Sequence, residues 1–261
     1  MTTIVHTTDL LHGDDVAFEH SVALAMSSGA SLVALHANGA AQVADRMPDA
    51  DAVLRRWGRE PGTIHYRTEV HTCCEDAIDT VLDGLRTLAP DLVVAATHDR
   101  GILARIFGGS GAEAIAHNVT APVLLFPAEI DRGFVTSADG GSTMRRVVVP
   151  AGDPESARAA LERVRWIADL TKAEEVEVVL LCVGDHDPIP ELEPRDGARL
   201  HVTKQIVPGH DVCGEIVEHS RDASLVVMAT RGQDSVSDML MGSKTDRVFH
   251  RVGCPVLSVR L

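Results

Sequence analysis

An internal repeat at an offset of 133 positions constrains the architecture of this 261-residue chain more than any other feature. Residues 92–124 and 225–257 align without a gap, and twelve of the 33 positions are identical. The identical pairs include Thr97/Thr230, Gly109/Gly242, Ser110/Ser243, His117/His250 and Pro122/Pro255. A self-similar chain indicates one structural unit present twice. We therefore expect two domains, residues 1–128 and 144–261, joined by a glycine-containing linker at 129–143.

Composition excludes several classes of partner. The formal net charge is −14, and only 3% of the residues are aromatic. Such a chain repels phosphate backbones and has few rings on which bases could stack, so nucleic acid is not an expected partner. No apolar run approaches the roughly 18 residues that span a membrane. The amino terminus does not resemble a signal peptide, and the five cysteines form no C-x-x-C pair, so we expect a cytoplasmic protein with reduced thiols.

Short apolar runs alternate with segments of helical periodicity in both halves, which predicts a parallel sheet covered by helices on both faces. Strands are predicted at 3–8, 31–36, 65–70, 92–97 and 122–126, and again at 147–150, 176–183, 200–207, 225–229 and 255–259. Helices are predicted at 16–27, 49–57, 75–88, 113–117, 156–170, 215–219 and after Ser243, with a proline-containing loop at 185–196.

The segment that carries candidate chemistry follows the fourth predicted strand of each half. The second half reads Ala229-x-x-Gly232, nine residues, then Gly242-Ser243, and the first reads Ala96-x-x-Asp99 with Gly109-Ser110. Glycine allows close approach of the backbone to a ligand, and a helix N-terminus attracts phosphate. A simple capping box is the competing interpretation, because Glu113 and Asp246 stand three residues after the two serines.

This pattern resembles the universal stress protein family. The resemblance extends to H-T-T-D at 6–9, V-A-L-H-A at 33–37 and L-V-V-M-A-T-R-G at 225–232, and it covers nearly all of both halves. It implies an α/β fold of two doubly wound domains, each a five-stranded parallel sheet of order 3-2-1-4-5. In such sheets, ligands bind outside the carboxyl ends of the strands, where strands 1 and 4 are neighbours.

For nucleotide-binding members, the resemblance implies a carboxylate after strand 1, a contact at the end of strand 2, and phosphates on the glycines and Gly-Ser. The first half keeps Asp9, Ala37, Gly109 and Ser110, but it has Ala96 and Asp99 at the two loop glycines. A carboxylate about 4 Å from a phosphate costs up to ~4 kcal/mol per charge pair at an effective dielectric near 20, unless Mg²⁺ bridges them.

The second half keeps the phosphate loop better. It has Gly232, Gly242 and Ser243, with Val183 at the strand 2 position, Ala229 at the first glycine and Arg231 as an additional positive charge. Gly152 takes the place of the aspartate, and Asp153 follows one residue later. We therefore expect ATP or AMP, with or without Mg²⁺, to bind the second half.

Other functional classes remain open. The chain could be an interaction protein with decayed sites, a weak ATPase or a small-ligand carrier, although Ser110 and Ser243 lack an identifiable general base. His71, Cys73 and Cys74 do not have the usual spacing of a zinc motif, and a helix cap with a buried thiol is the favoured interpretation.

Tandem members imply an intramolecular pseudo-dimer that pairs through the fifth strands; a homodimer and a protein partner are left open.

Overall fold

A computed structural model gives the fold of the chain as two compact units. Unit 1 comprises Met1–Ala128 and Val135–Gly141, and unit 2 comprises Glu129–Phe134 and Ser142–Leu261. The structure describes residues 1–8, 10, 15–38, 43–72, 77–96, 119–127, 130, 133–189, 199–230, 248–249 and 251–261.

Unit 1 is a parallel sheet with strand order β3-β2-β1-β4-β5. Its strands are β1 (Thr3–Thr7), β2 (Ser31–Asn38), β3 (His65–Thr72), β4 (Leu92–Ala96) and β5 (Val123–Phe126). Its described helices are α1 (Asp15–Ser28), α2 (Ala50–Arg56) and α3 (Ala77–Leu88), with a 3-10 turn at Ala44–Arg46.

Unit 2 repeats this arrangement with strand order β8-β7-β6-β9-β10, again with parallel pairs. The strands are β6 (Arg146–Pro150), β7 (Val176–Val183), β8 (Leu200–Val207), β9 (Leu225–Thr230) and β10 (Val256–Arg260). The described helices are α4 (Pro154–Thr171) and α5 (Val212–His219), and residues 248–249 are also helical.

The predicted α/β class and the order 3-2-1-4-5 are confirmed in both units. The central strand β4 of unit 1 is buried along its length. A strand that packs against helices on both faces has no solvated side, so it is apolar throughout rather than alternating. The predicted helix at 113–117, and most of the one expected after Ser243, lie outside the described residues.

Part of the predicted linker at 129–143 packs against unit 1. The turn at 136–141 is closed by a hydrogen bond from the backbone N–H of Thr136 to the Gly141 carbonyl (2.9 Å). The buried Trp57 indole donates to the Ser137 carbonyl at 2.9 Å. Gly140 has φ +73°, and a Cβ built on it would lie 2.6 Å from the Trp57 ring. Glycine is therefore needed here both for the positive φ and for the absence of a side chain.

Candidate functional site

The sheet of each unit has a topological switch point at its centre. In unit 1, β1 lies between β2 and β4, so the chain winds to opposite sides from two neighbouring strands. The Thr7 hydroxyl donates to the Val94 carbonyl at 3.4 Å and links these two strands near their carboxyl ends. In unit 2, β6 lies between β7 and β9 in the same way. Ligands of doubly wound sheets bind at this edge.

In unit 1, three hydrogen bonds fix the chain where it leaves β1. The Thr8 backbone N–H donates to the Leu35 carbonyl (3.0 Å), and the His36 imidazole Nδ1 donates to the Thr8 carbonyl (2.7 Å). The Thr8 hydroxyl accepts from the Leu10 backbone N–H at 3.0 Å. Leu10 has φ +61°, a conformation that a branched side chain rarely adopts. The backbone on both sides of Asp9 is therefore tightly constrained, while Asp9 itself lies outside the described residues.

The predicted contact Ala37, and Ala96 at the position of the first loop glycine, lie at or near the expected ends of strands. Ala37 is buried on β2, one residue after His36. Ala96 is the last residue of β4 and is also buried. Gly109 and Ser110 lie outside the described residues. The structure therefore places the strand ends of this candidate site and does not describe its phosphate loop.

In unit 2, the turn after the first strand is short, and residues 151–153 connect β6 to α4. The Asp153 carboxylate caps α4 and accepts from the backbone N–H groups of Glu155 and Ser156, both at 3.0 Å. The Ser156 hydroxyl also donates to it. Pro154 occupies the first turn, where its missing N–H costs nothing. Asp153 is thus engaged in starting a helix, and Gly152 is exposed.

The other predicted residues of unit 2 divide between the strand ends and the undescribed loop. Val183 is the last residue of β7, and Ala229 lies near the end of β9; both are partly exposed. Each unit has an equivalent hydrogen bond after its first strand: the Thr8 N–H donates to the Leu35 carbonyl in unit 1, and the Ala151 N–H donates to the Leu181 carbonyl in unit 2. These two bonds fix the structural alignment of the repeat. This alignment makes Val183 the counterpart of Ala37. Arg231, Gly232, Gly242 and Ser243 lie outside the described residues.

An ion pair beside β7 was not predicted from the sequence. The Lys204 ammonium on β8 donates to the Asp187 carboxylate and to the Ile189 carbonyl, each at 2.9 Å. The hydrogen bond from Lys204 is the main reason that the pKa of Asp187 is lowered. Burial, with a further contribution from Asp187, raises the pKa of the neighbouring Cys182 thiol. The available signal in the sequence was a lysine inside the predicted strand at 200–207.

Two buried histidines of unit 1 are also outside the predicted set. Burial lowers the pKa of His6 on β1 to about 3 and the pKa of His20 on α1 to about 4. His20 Nδ1 donates to the Val16 carbonyl at 2.7 Å, which partly opposes that shift. The ring of His20 meets Phe126 edge-on, with centroids 4.7 Å apart. Both imidazoles are therefore neutral at pH 7 in the folded chain.

The described part of the chain contains no group of three or more His, Cys, Asp or Glu side chains that could hold a metal ion. His71 Nε2 lies 3.2 Å from the Glu69 carboxylate, and Cys73 and Cys74 are outside the described residues. Among the described helices, none is both long enough and apolar enough to cross a membrane.

Comparison with known proteins agrees with this geometry. The model of the universal stress protein family matches residues 1–127 and 198–260. Residues 128–197, which include β6, α4 and β7, lie outside the match. The unmatched stretch contains the short turn at 151–153 and the paired Asp187.

Solved structures share the fold along the whole chain. A universal stress protein from Archaeoglobus fulgidus DSM 4304 is 19% identical, with a TM-score of 0.64, and covers 99% of this chain and 96% of its own. A putative universal stress protein from Pseudomonas aeruginosa UCBPP-PA14 is 16% identical, with a TM-score of 0.66 over 100% and 93%. A protein of unknown function from Pseudomonas aeruginosa PAO1 is 14% identical, with a TM-score of 0.68 over 100% and 92%.

Proposed function

Because the chain belongs to the universal stress protein family, we propose that it is a nucleotide-binding sensory module whose second unit binds ATP or AMP. The observation that carries this proposal is the place where β9 ends. β9 pairs with β6 at the centre of the sheet and ends at Thr230. The segment with Gly232, Gly242 and Ser243 starts directly after it. A glycine-containing loop at a switch point is a typical site for a phosphate chain.

The described edge of unit 2 supports binding through phosphates more than through the nucleoside. Gly152 offers no side chain, and the Asp153 carboxylate is held by the first turn of α4. Val183 and Ala229 present small apolar surfaces at the neighbouring strand ends. Under this proposal, Gly232, Gly242 and Ser243 supply the main contacts, and Arg231 adds positive charge.

The test is isothermal titration calorimetry of the full chain with ATP, comparing wild type with Gly232→Asp. A carboxylate about 4 Å from a phosphate costs up to ~4 kcal/mol per charge pair, so we expect at least about a tenfold loss of affinity. Thr63→Asp is the matched control, because it adds the same charge at an exposed position in unit 1. Thr63 precedes β3 and so lies at the amino ends of the strands, whereas ligands bind at the carboxyl ends. Equal affinity of wild type and Gly232→Asp contradicts the proposal.

The engagement of Asp153 favours a second candidate, an interaction protein whose nucleotide sites have decayed. In this candidate the carboxyl edge of unit 2 has lost its ligand carboxylate and become part of a stable turn. Mass spectrometry of the denatured, freshly purified protein separates the two functions. Retained adenine nucleotide supports the first, whereas no retained nucleotide together with no calorimetric response to ATP or AMP supports the second.

A further inference from the structure

The strand β3 is an exposed edge of the sheet of unit 1. It stands at one end of the strand order of that unit, and among the described strands it pairs with β2 alone. None of its eight residues is buried, and the side chain of Val70 is 36% exposed. Half of the backbone N–H and C=O groups of such a strand point away from its neighbour, and they can pair with another chain.

Charged side chains lie next to each other along this edge. The Arg67 guanidinium donates to the Glu69 carboxylate from Nη2 at 2.9 Å and from Nε at 3.1 Å, and His71 Nε2 lies 3.2 Å from the same carboxylate. Alternate residues of a strand share one face. Charges on an edge strand often prevent pairing with another chain. Whether they do so here depends on which charges two copies would bring opposite each other.

The geometry of antiparallel pairing limits the ways in which two β3 strands could meet. A twofold-symmetric dimer pairs identical edge strands antiparallel. Backbone groups alternate between the two sides of a strand, so directly opposite residues must both face outward or both face inward. A symmetric pair therefore centres on one residue, which lies opposite its own copy. Centring on Arg67 or on Glu69 places like charges directly opposite, which is destabilising. Centres at Tyr66 or Val70 leave at most five residues of each strand paired.

The remaining register, centred on Thr68, matches complementary side chains over seven residues of each strand. It places Arg67 opposite the partner's Glu69, and by symmetry it does so twice. The pairs are, from the centre outward, Thr68 with Thr68, Arg67 with Glu69, Tyr66 with Val70, and His65 with His71. Threonine pairs, opposite charges and an aromatic ring beside a β-branched residue all stabilise antiparallel sheets. We propose that β3 is a homodimer interface, at which a second copy of this chain pairs in this register.

The edge strand of unit 2 lacks this complementarity. The only ionisable residues of β8 are His201 and Lys204, so no register brings an acid opposite a base. Two of its eight residues are buried. The Lys204 ammonium is also engaged with the Asp187 carboxylate and the Ile189 carbonyl of the preceding segment. Self-complementarity is therefore a property of β3 and not of both edge strands of the repeat.

The first experiment is sedimentation velocity of the full chain over a concentration series. Arg67→Glu places two glutamates opposite each other at both symmetric positions, and Glu69→Arg does the same with two arginines. Each variant should weaken the wild-type dimer at least about tenfold. Arg221→Glu is the matched control, because it makes the same change of charge at an arginine of unit 2 whose side chain is 73% exposed. This control should dimerise like wild type.

Mixing the two variants tests the interface itself. An equimolar mixture of Arg67→Glu and Glu69→Arg brings glutamate opposite arginine at both positions, so the two chains should form a heterodimer although neither dimerises alone. The double variant, Arg67→Glu with Glu69→Arg, should dimerise within about threefold of wild type, because the register centred on Thr68 again joins opposite charges. A variant that had merely misfolded would not recover on mixing, so this rescue separates pairing from stability.

Cysteine cross-linking tests the register. Thr68→Cys lies opposite its own copy, where Cα atoms are about 4.5–5.5 Å apart, so mild oxidation should give a covalent dimer on a non-reducing gel. Thr72→Cys is the matched control, because this exposed threonine of the same strand would lie about 27 Å from its copy. It should cross-link no more than wild type.

Four results would overturn the proposal: a wild-type chain that stays monomeric up to about 100 μM, a dimer that both charge variants leave intact, a mixture of the two variants that stays monomeric, or equal cross-linking by the two cysteine variants. None of these measurements involves a nucleotide. The homodimer and the proposed nucleotide site can therefore fail independently.

Discussion

Mild acid should destabilise unit 1 through its two buried neutral histidines. His6 and His20 have folded pKa values of about 3 and about 4, against 6.5 in an unfolded chain. As the pH falls below 6.5, the unfolded state takes up a proton at each site and the folded state does not. The free energy of unfolding is thus highest above pH 6.5 and falls until each folded pKa is reached.

The magnitude follows from proton linkage. Between about pH 7.2 and about pH 5.8, each histidine should remove about 1 kcal/mol from the free energy of unfolding, or about 2 kcal/mol together. This loss is a measurable part of the 5–15 kcal/mol typical of a folded domain. The acid condition also stays above the isoelectric point of about 5.3, which favours solubility.

The assay is urea unfolding followed by tryptophan fluorescence. Only two tryptophans are present, Trp57 in unit 1 and Trp166 in unit 2, so a Trp166→Phe background makes the signal specific for unit 1. Relative to that parent, His6→Gln and His20→Gln should each reduce the pH-dependent loss by about 1 kcal/mol. His201→Gln, at an exposed histidine of β8, is the control. A double variant with the same pH dependence as the parent would refute the reasoning.

Two further substitutions test local features of the fold. Gly140→Ala should destabilise unit 1 by about 1–3 kcal/mol, since its Cβ would overlap the Trp57 ring at positive φ; an unshifted unfolding midpoint by Trp57 fluorescence would contradict this packing. Asp153→Ala should cost about 1–2 kcal/mol in unit 2, because the N–H groups of Glu155 and Ser156 lose their acceptor. Asp153→Asn, which can still cap, should cost less than half as much, and equal losses in thermal unfolding would argue against the cap.

The strands and helices could be predicted from the sequence because their signals are local, whereas the strand order came from the family resemblance. The strands predicted at 92–97 and 225–229 match β4 and β9 to within one residue at their ends. Helix ends were also predictable where a capping residue precedes the helix. The helix predicted at 49–57 corresponds to α2, which Asp49 caps. Buried parallel strands need continuous apolar segments, and the repeat supplied two copies of each segment.

The candidate site was less predictable because its contacts join distant residues. The bond from His36 to Thr8 spans 28 positions and depends on the register between β1 and β2. The pair of Lys204 and Asp187 likewise requires the loop after β7 to fold back on β8. The role of Asp153 did have a local signal, since Asp-Pro-Glu is typical of a helix start. Its position one residue after Gly152, the counterpart of Asp9, favoured a ligand role instead.

The short turn between β6 and α4 has a consequence for selectivity. The turn at 151–153 is too short to surround a sugar or a base by itself, and its one carboxylate, Asp153, caps α4. A nucleotide bound to unit 2 would therefore be held mainly from the β9 side, at its phosphates. Guanosine and adenosine triphosphates should then compete nearly equally, while removal of each phosphate weakens binding. Unit 2 would respond to the energy charge of a nucleotide pool rather than to the identity of its bases.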